Sequence, residues 1–298
     1  ESLVNRVFHP DCNGIDGGPF NTYQCKDGGY VFLHAAFDPH WVKLCEIMGC
    51  PEMASAPRTK SWDGRARNLA LVDQLVGDWV AQHTLDEAMA MLRIAEEEGI
   101  RAVVATPHYD GTEPTVRSLA EAVLRVVQRE VARSGLQIQV LGGFEVALSP
   151  ALLSGGIDPG ELGLNGGRYV LVEAPVAFWP AYVEECLFWL QSRGLQPILA
   201  HAERYAALQV QPTRAVSLSD RGILLQINGG SLTGAEGREE HRCAQWLLRR
   251  GLVQFIASDC HSTKRRRPAL RSAVAKASRV VGGPAVEHLT THNPQAVM

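Results

Sequence analysis

From Thr84 to the C-terminus, short apolar runs alternate with amphipathic stretches of helical period. No other feature restricts the fold as much, because strands separated by helices pair in parallel and are covered by those helices. The pattern opens with Thr84-Leu85-Asp86-Glu87, a capping box. In it the Thr hydroxyl and the Glu carboxylate each satisfy an orphan N–H of a first turn. Leu85, Ala88, Leu92 and Ala95 follow as one apolar stripe, and Gly99 stops the helix. The run "IRAVVAT" (Ile100–Thr106) has the near-continuous apolar character of a buried parallel strand. Further strands are expected over Gln137–Val146, Arg168–Pro175, Pro197–Ala200, Ile223–Asn228 and Val253–Ser258. Helices are expected over Val116–Arg133, Ala181–Gly194, Arg238–Gly251 and Pro268–Val280. These six strands approach the number that closes a (β/α) barrel, with an open doubly wound sheet as the alternative.

The first 83 residues have a different rhythm. Gly29–Phe37 reads as a strand, His40–Gly49 as a short helix and Pro51–Gly64 as a loop. Asn68–Gln82 places Val72, Leu75, Val76, Trp79 and Val80 on one helical face. The helix at Thr84 therefore follows another helix where a strand is due. A barrel built from the later units would lack its first strand.

The chain has 298 residues, 46% of them hydrophobic and 20% charged, which is ample for one or two cores. A net charge of −3 gives no overall basic field, so nucleic acid is not an expected partner. No apolar run is long enough to span a bilayer, and no charged-then-apolar leader opens the chain. Glu1 in place of Met points to a processed chain or a fragment. Seven cysteines without a CxxC pair are expected as reduced thiols of a cytoplasmic protein.

Function in parallel α/β proteins collects at the carboxyl ends of the strands. His108 follows the first expected strand, Glu145 ends the second, His201 follows "PILA" and Asp259-Cys260-His261 follows "FIAS". A histidine at one strand end is most often structural. Five such groups at strand ends, His108, Glu145, His201, Asp259 and His261, favour a metal centre. Imidazole and carboxylate are the ligands of hydrolytic di- or trinuclear centres, which supply a hydroxide nucleophile at neutral pH. Asn228, at the end of "LLQI", is expected to support the site rather than ligate. Arg204 and the run Lys264–Arg267 lie in the same loops, where a guanidinium would match a phosphate bidentately. Cys260 and Arg266 also have the C-x5-R spacing of cysteine-dependent phosphatases. The intervening "HSTKR" has no Gly to let the backbone wrap a phosphate, which disfavours the thiolate reading.

The stretches "TLDEAMAMLRIAEEEGIRAVVATPHY", "GGFEV", "RYVLVEAP", "PILAHAERY", "QIN", "LVQFIASDCHSTKRRRP" and the terminal "HNP" resemble the CpsB/YwqE family of tyrosine phosphatases. These are PHP-domain (polymerase and histidinol phosphatase) proteins, and the resemblance covers residues 84–298. It implies a distorted (β/α) barrel holding a cluster of two or three divalent metal ions, usually manganese. The implied activity is removal of phosphate from the tyrosine-rich tails of bacterial kinases that control capsule and exopolysaccharide synthesis. By position, His108, Glu145, His201, Asp259 and His261 match metal ligands, which would position a metal-bound hydroxide. Arg204 and Arg267 match phosphate-binding arginines.

The resemblance stops at the front. The family begins with a strand carrying D-x-H-x-H and then a D-G-P turn; no H-x-H occurs in this chain, so fewer ions and impaired activity are expected. Residues 1–83 instead resemble a fragment of a class III (CaiB/BaiF-type) CoA-transferase, a small α+β segment. The matching features are "YQCKDGGYVF", "WVKLCEIMGCPE" and the run from Arg65 through Asn68 and Trp79 to the T-x-x-E-A helix. The transferase's catalytic Asp lies upstream of that region, so transferase activity would need a partner chain. His34 and His40 imitate a ligand-bearing strand, but at the wrong spacing. The chain reads as a join of two families near residue 83. The alternative is a non-catalytic fusion fragment.

Overall fold

The computed structural model describes residues 20–24, 30–34, 38–47, 50–80, 86–109, 114–154, 158–264 and 266–298. The chain divides into two compact units, Glu1–Ala88 and Met89–Met298. The Thr84 half of the expected capping box lies outside the described residues.

In the first unit, β1 (Phe20–Gln24) pairs antiparallel with β2 (Tyr30–His34), Phe20 opposite His34. The sequence reading has β2 but not β1. Helices follow at Asp38–Ile47, Trp62–Arg67 and Leu69–Val80, with a 3-10 turn at Pro51–Ala54. The expected loop Pro51–Gly64 thus ends inside a helix, started by Ser61, whose hydroxyl accepts from the Gly64 N–H. Trp41, Leu44, Cys45, Val72 and Val76 form the core. Arg65 is fully buried beside them, donating to the Thr59 carbonyl at 3.0 Å and to Asp38 at 2.8 Å, with its guanidinium over the Trp41 ring. A buried cation survives only when paired and hydrogen-bonded in this way.

In the second unit the strands are β3 (Ala102–Ala105), β4 (His108–Tyr109), β5 (Gln139–Gly142), β6 (Glu145–Ala147), β7 (Tyr169–Glu173), β8 (Gln196–Leu199), β9 (Leu224–Asn228) and β10 (Phe255–Ala257). β10, β9, β8, β7, β6 and β4 form one parallel sheet in that order, and β3 pairs in parallel with β5. The pairs β3–β5 and β4–β6 are continuous, because Gly143 N donates to Ala105 O and Glu145 N to Pro107 O. Between them the backbone passes close under its neighbours. A Cβ at Gly142 or Gly143 would lie 2.6 Å from a leucine methyl, of Leu124 or Leu164. All six strands expected from the sequence are present and parallel.

Side chains alternate between the two faces of each strand. On one face Val170, Val172, Leu199, Leu225, Ile227 and Ile256 pack against the helices Ala181–Ser192, Thr213–Asp220, Arg238–Arg249 and Arg271–Val281. Each leucine or valine buried there contributes on the order of 1.5–3 kcal/mol. On the other face Val104, Tyr169, Leu171, Ile198, Leu224 and Phe255 share a second cluster with Leu164 and Val297. Val104 of β3 and Phe255 of β10 thus belong to one apolar cluster. Helix Asp86–Glu97 and helix Arg271–Val281 meet outside them: Glu98 accepts from the Leu270 and Arg271 N–H groups, as an acid does at a helix N-terminus. Among the described residues no helix is long and apolar enough to cross a membrane.

Candidate metal centre

Alternation also sets which polar side chains share the inner face. Tyr169 and Leu171 point inward, so Glu173 at the end of β7 does too. Glu145 pairs with Leu171 and His108 with Glu145, which brings both to the same side. Gln226 and Asn228 share the parity of the inward-facing Leu224. Glu173 and Asn228 close β7 and β9, and His108 and Glu145 open β4 and β6, the short continuations of β3 and β5, so the group gathers toward the edge where parallel sheets build their sites.

His108, Glu145 and Glu173 each offer one ligand atom, all within 4.8 Å of one another. His108 Nδ1 lies 3.4 Å from Glu173 and 3.8 Å from Glu145. His201 approaches from the loop after β8, its Nε2 2.8 Å from Glu145 Oε1 and 3.2 Å from Glu173 Oε1. His201 is buried, with φ 34°, a left-handed backbone that costs a non-glycine residue on the order of 1–3 kcal/mol. Burial by itself would discourage charge on this imidazole. The hydrogen bonds to Glu145 and Glu173 outweigh it, and the His201 pKa is pushed up to about 9. For Glu173, burial acts to raise the pKa, but the hydrogen bond and charge of His201, with His108 and Arg204, bring it below the ordinary carboxylate range.

These residues fit a divalent ion. Two carboxylates converge on a space closed by two imidazoles, and one imidazole takes on a proton to balance them. That proton stands where a cation's charge would serve better. Glu173 is the ligand candidate that the sequence reading missed. It was visible as the single acid closing the strand "RYVLVE".

Asp259 and His261 lie in the loop after β10 and form a second group. Asp259 accepts from Asn228 Nδ2 at 2.8 Å, is in direct contact with the Arg266 guanidinium, and lies 3.9 Å from Arg204. His261 Nδ1 faces the Asp259 carbonyl at 2.8 Å, and Arg266 approaches its Nε2 at 3.5 Å. Asp259 and Arg266 have φ 47° and 48°. Arg266, not the exposed Arg267, is the arginine brought to Asp259.

Tyr205 anchors the loop that carries His201 and Arg204. It is fully buried, edge-on to Trp179, and its hydroxyl accepts the Ala174 N–H just after Glu173. Glu203 is also buried, which pushes its pKa up to about 7; its Oε1 accepts the Asn228 N–H at 3.0 Å. Burial also raises the pKa of Cys260, which disfavours the thiolate that a C-x5-R site needs.

The model of the capsular polysaccharide synthesis family CpsB/CapC matches residues 78–298. The chain belongs to the CpsB/CapC family. Its relatives include the tyrosine-protein phosphatase YwqE of Bacillus subtilis, 31% identical over 189 residues, which are 60% of this chain and 71% of that one. The putative tyrosine-protein phosphatase CapC of Staphylococcus aureus is 30% identical over 188 residues, 61% of this chain and 72% of that one. Solved structures of YwqE from Bacillus subtilis and CpsB from Streptococcus pneumoniae are described as unique metal-dependent tyrosine phosphatases. The matched chain superimposes with a TM-score of 0.64 at 27% identity, covering 72% of this chain and 87% of that one. The CpsB/CapC match overlaps a second one, CoA-transferase family III, over residues 7–130. A succinyl-CoA–D-citramalate CoA-transferase of Chloroflexus aurantiacus is 28% identical over 99 residues, 30% of this chain and 24% of that one.

Proposed function

We propose that this chain is a metal-dependent protein-tyrosine phosphatase of capsule or exopolysaccharide synthesis. The convergence of His108, Glu145, Glu173 and His201, beside arginines at the same strand ends, carries this reading. The glutamates and these two histidines would hold a divalent ion, expected as manganese. When bound, such an ion supplies a water-derived nucleophile at neutral pH and a positive centre for the phosphoryl oxygens. Arg204 and Arg266 would grip the phosphoryl group, exchanging their contacts with Asp259 for phosphate oxygens. Arg266 takes the role that sequence position gave to Arg267. The substrate is expected to be phosphotyrosine on the tail of a bacterial kinase, in the cytoplasm.

The phosphatase unit is proposed as residues 84–298, a distorted (β/α) barrel without its first strand. The cluster shared by Val104 and Phe255, and the bonds from Glu98 to the start of the helix at Arg271, support that closure. Residues 1–83 are proposed as the CoA-transferase-like segment. Asp259 and His261 would belong to a second metal position, which without H-x-H keeps too few donors. Activity is therefore expected to be low.

Hydrolysis of p-nitrophenyl phosphate and of a phosphotyrosyl peptide, with added Mn²⁺ and with a chelator, tests this. Weak, chelator-sensitive hydrolysis is expected. Turnover equal to that of YwqE would remove the impairment, and no hydrolysis by Mn²⁺-loaded protein would favour a non-catalytic fusion fragment. The family III match over residues 7–130 favours that alternative. Transferase activity would require a catalytic Asp from a partner chain.

A further inference from the structure

Behind the arginine side of the site, polar side chains form one directional chain of hydrogen bonds. The backbone N–H of His201 can only donate, and it donates to Gln226 Oε1 at 3.0 Å. This fixes the Gln226 amide, whose Nε2 donates to Asn228 Oδ1 at 2.9 Å. Asn228 must then turn its nitrogen the other way. Its two N–H hydrogens meet two carboxylates: Asp259 Oδ2 at 2.8 Å and Glu236 Oε2 at 3.1 Å. A flipped amide would set an oxygen against both acids. Gln226 and Asn228 are buried, so the pattern is not diluted by solvent.

We propose that Glu236 is a positioning residue: by holding Asn228 it sets where Asp259 sits, and through Asp259 where the Arg266 guanidinium waits for phosphate. The proposal rests on the phosphatase reading above. Asp259 and Arg266 both have left-handed backbones, which persist only where their surroundings over-determine them. Glu236 lies in the loop after the short helix Gly229–Thr233 and also accepts from Ser231 Oγ at 3.0 Å. It reaches Asn228 only because Gly230 has no side chain. A Cβ there would lie 2.2 Å from Glu236 Oε1, 2.7 Å from its Cδ and 2.9 Å from its Cγ. Gly230 is helical, so alanine suits its backbone; what alanine would take is the space for Glu236.

Two variants therefore break the same contact by independent routes, Glu236→Ala and Gly230→Ala. Three readouts apply to the full chain: the Asn228 side-chain amide signals in metal-free protein, the affinity for inorganic phosphate, and kcat and KM for p-nitrophenyl phosphate. Both variants are expected to shift the Asn228 amide pair and speed its exchange with solvent. They should weaken phosphate binding and raise KM about threefold, less than the roughly tenfold expected from removing the Arg266 guanidinium itself. Mn²⁺ affinity at the glutamate cluster should stay at the wild-type value, and Gly230→Ala should melt no lower than wild type. Glu236→Gln keeps an acceptor oxygen and should restore most of the phosphate affinity. Unmoved Asn228 signals in both variants would overturn the proposal, as would moved signals with wild-type phosphate affinity and KM. A wild-type chain that neither binds Mn²⁺ nor hydrolyses the ester overturns the phosphatase reading instead, and the amide signals then still decide whether Glu236 holds Asn228.

Discussion

The two halves of the strand-end cluster balance their charge by opposite means. In one, Glu145 and Glu173 lie on strands, and the side chains closest to them are the imidazoles of His108 and His201. In the other, Asp259 sits on a left-handed loop residue and is met by Arg266, Arg204 and the Asn228 amide. The first half has its negative charge balanced by a proton, which a metal can displace. The second has its charge balanced by fixed guanidinium groups, which a metal cannot displace cheaply. The halves therefore suit different ligands: a cation for the glutamates, a phosphate for the arginines.

The largest expected effect comes from breaking the first half. Glu145→Gln removes the carboxylate shared by His108 and His201. Mn²⁺-dependent hydrolysis should fall more than about 100-fold, because loss of a direct ligand exceeds the 10–100-fold cost of losing a supporting one. Steady-state assays at saturating Mn²⁺ check this. Breaking the second half should cost less and show in a different parameter. Arg266→Ala should raise KM about tenfold, the loss of roughly one charge-assisted hydrogen bond, and leave bound Mn²⁺ unchanged. The neighbouring Arg267→Ala should match wild type, and the reverse order would return the phosphate contact to Arg267.

A smaller effect sharpens the proton argument. The folded pKa of His201 lies above its ordinary 6.5, at about 9. The stability it contributes is therefore fully present below pH 6.5 and is lost as pH rises toward 9. Melting curves of metal-free protein should fall across that window. His201→Gln should flatten the slope, and saturating Mn²⁺, which needs the neutral imidazole, should reverse it. The smallest effect is expected from Cys260→Ser, since partial burial of this thiol disfavours its thiolate form. Wild-type kcat in that variant separates the metal site from a C-x5-R site.

Much of this arrangement was legible in the chain. The strand runs were readable because each is short and apolar, and four of the six are followed by a helix of clear period. His108, Glu145 and His201 stood out as polar groups immediately at their ends. Glu173 was hidden because one acid closing an apolar run looks like an ordinary strand end; only pairing of its neighbour Leu171 with Glu145 shows that it faces inward. The stripe expected as Leu85, Ala88, Leu92 and Ala95 buries Met89, Leu92 and Ala95, and leaves Ala88 half-buried. The helices Ala206–Val210 and Thr213–Asp220 were missed because both are short and the second is rich in Ser and Thr. They form because Leu208, Ala215 and Leu218 bury fully against the sheet. β1 carries no clear alternation and is stabilised by its pairing with β2.

The central claim is that the glutamate half alone holds the metal. Elemental analysis of Mn²⁺ retained after gel filtration tests it directly, on the wild-type chain and on Glu173→Gln and Asp259→Asn. A single ion per chain is predicted for wild type and for Asp259→Asn, and none for Glu173→Gln. Manganese that survives Glu173→Gln but is lost in Asp259→Asn would contradict the account.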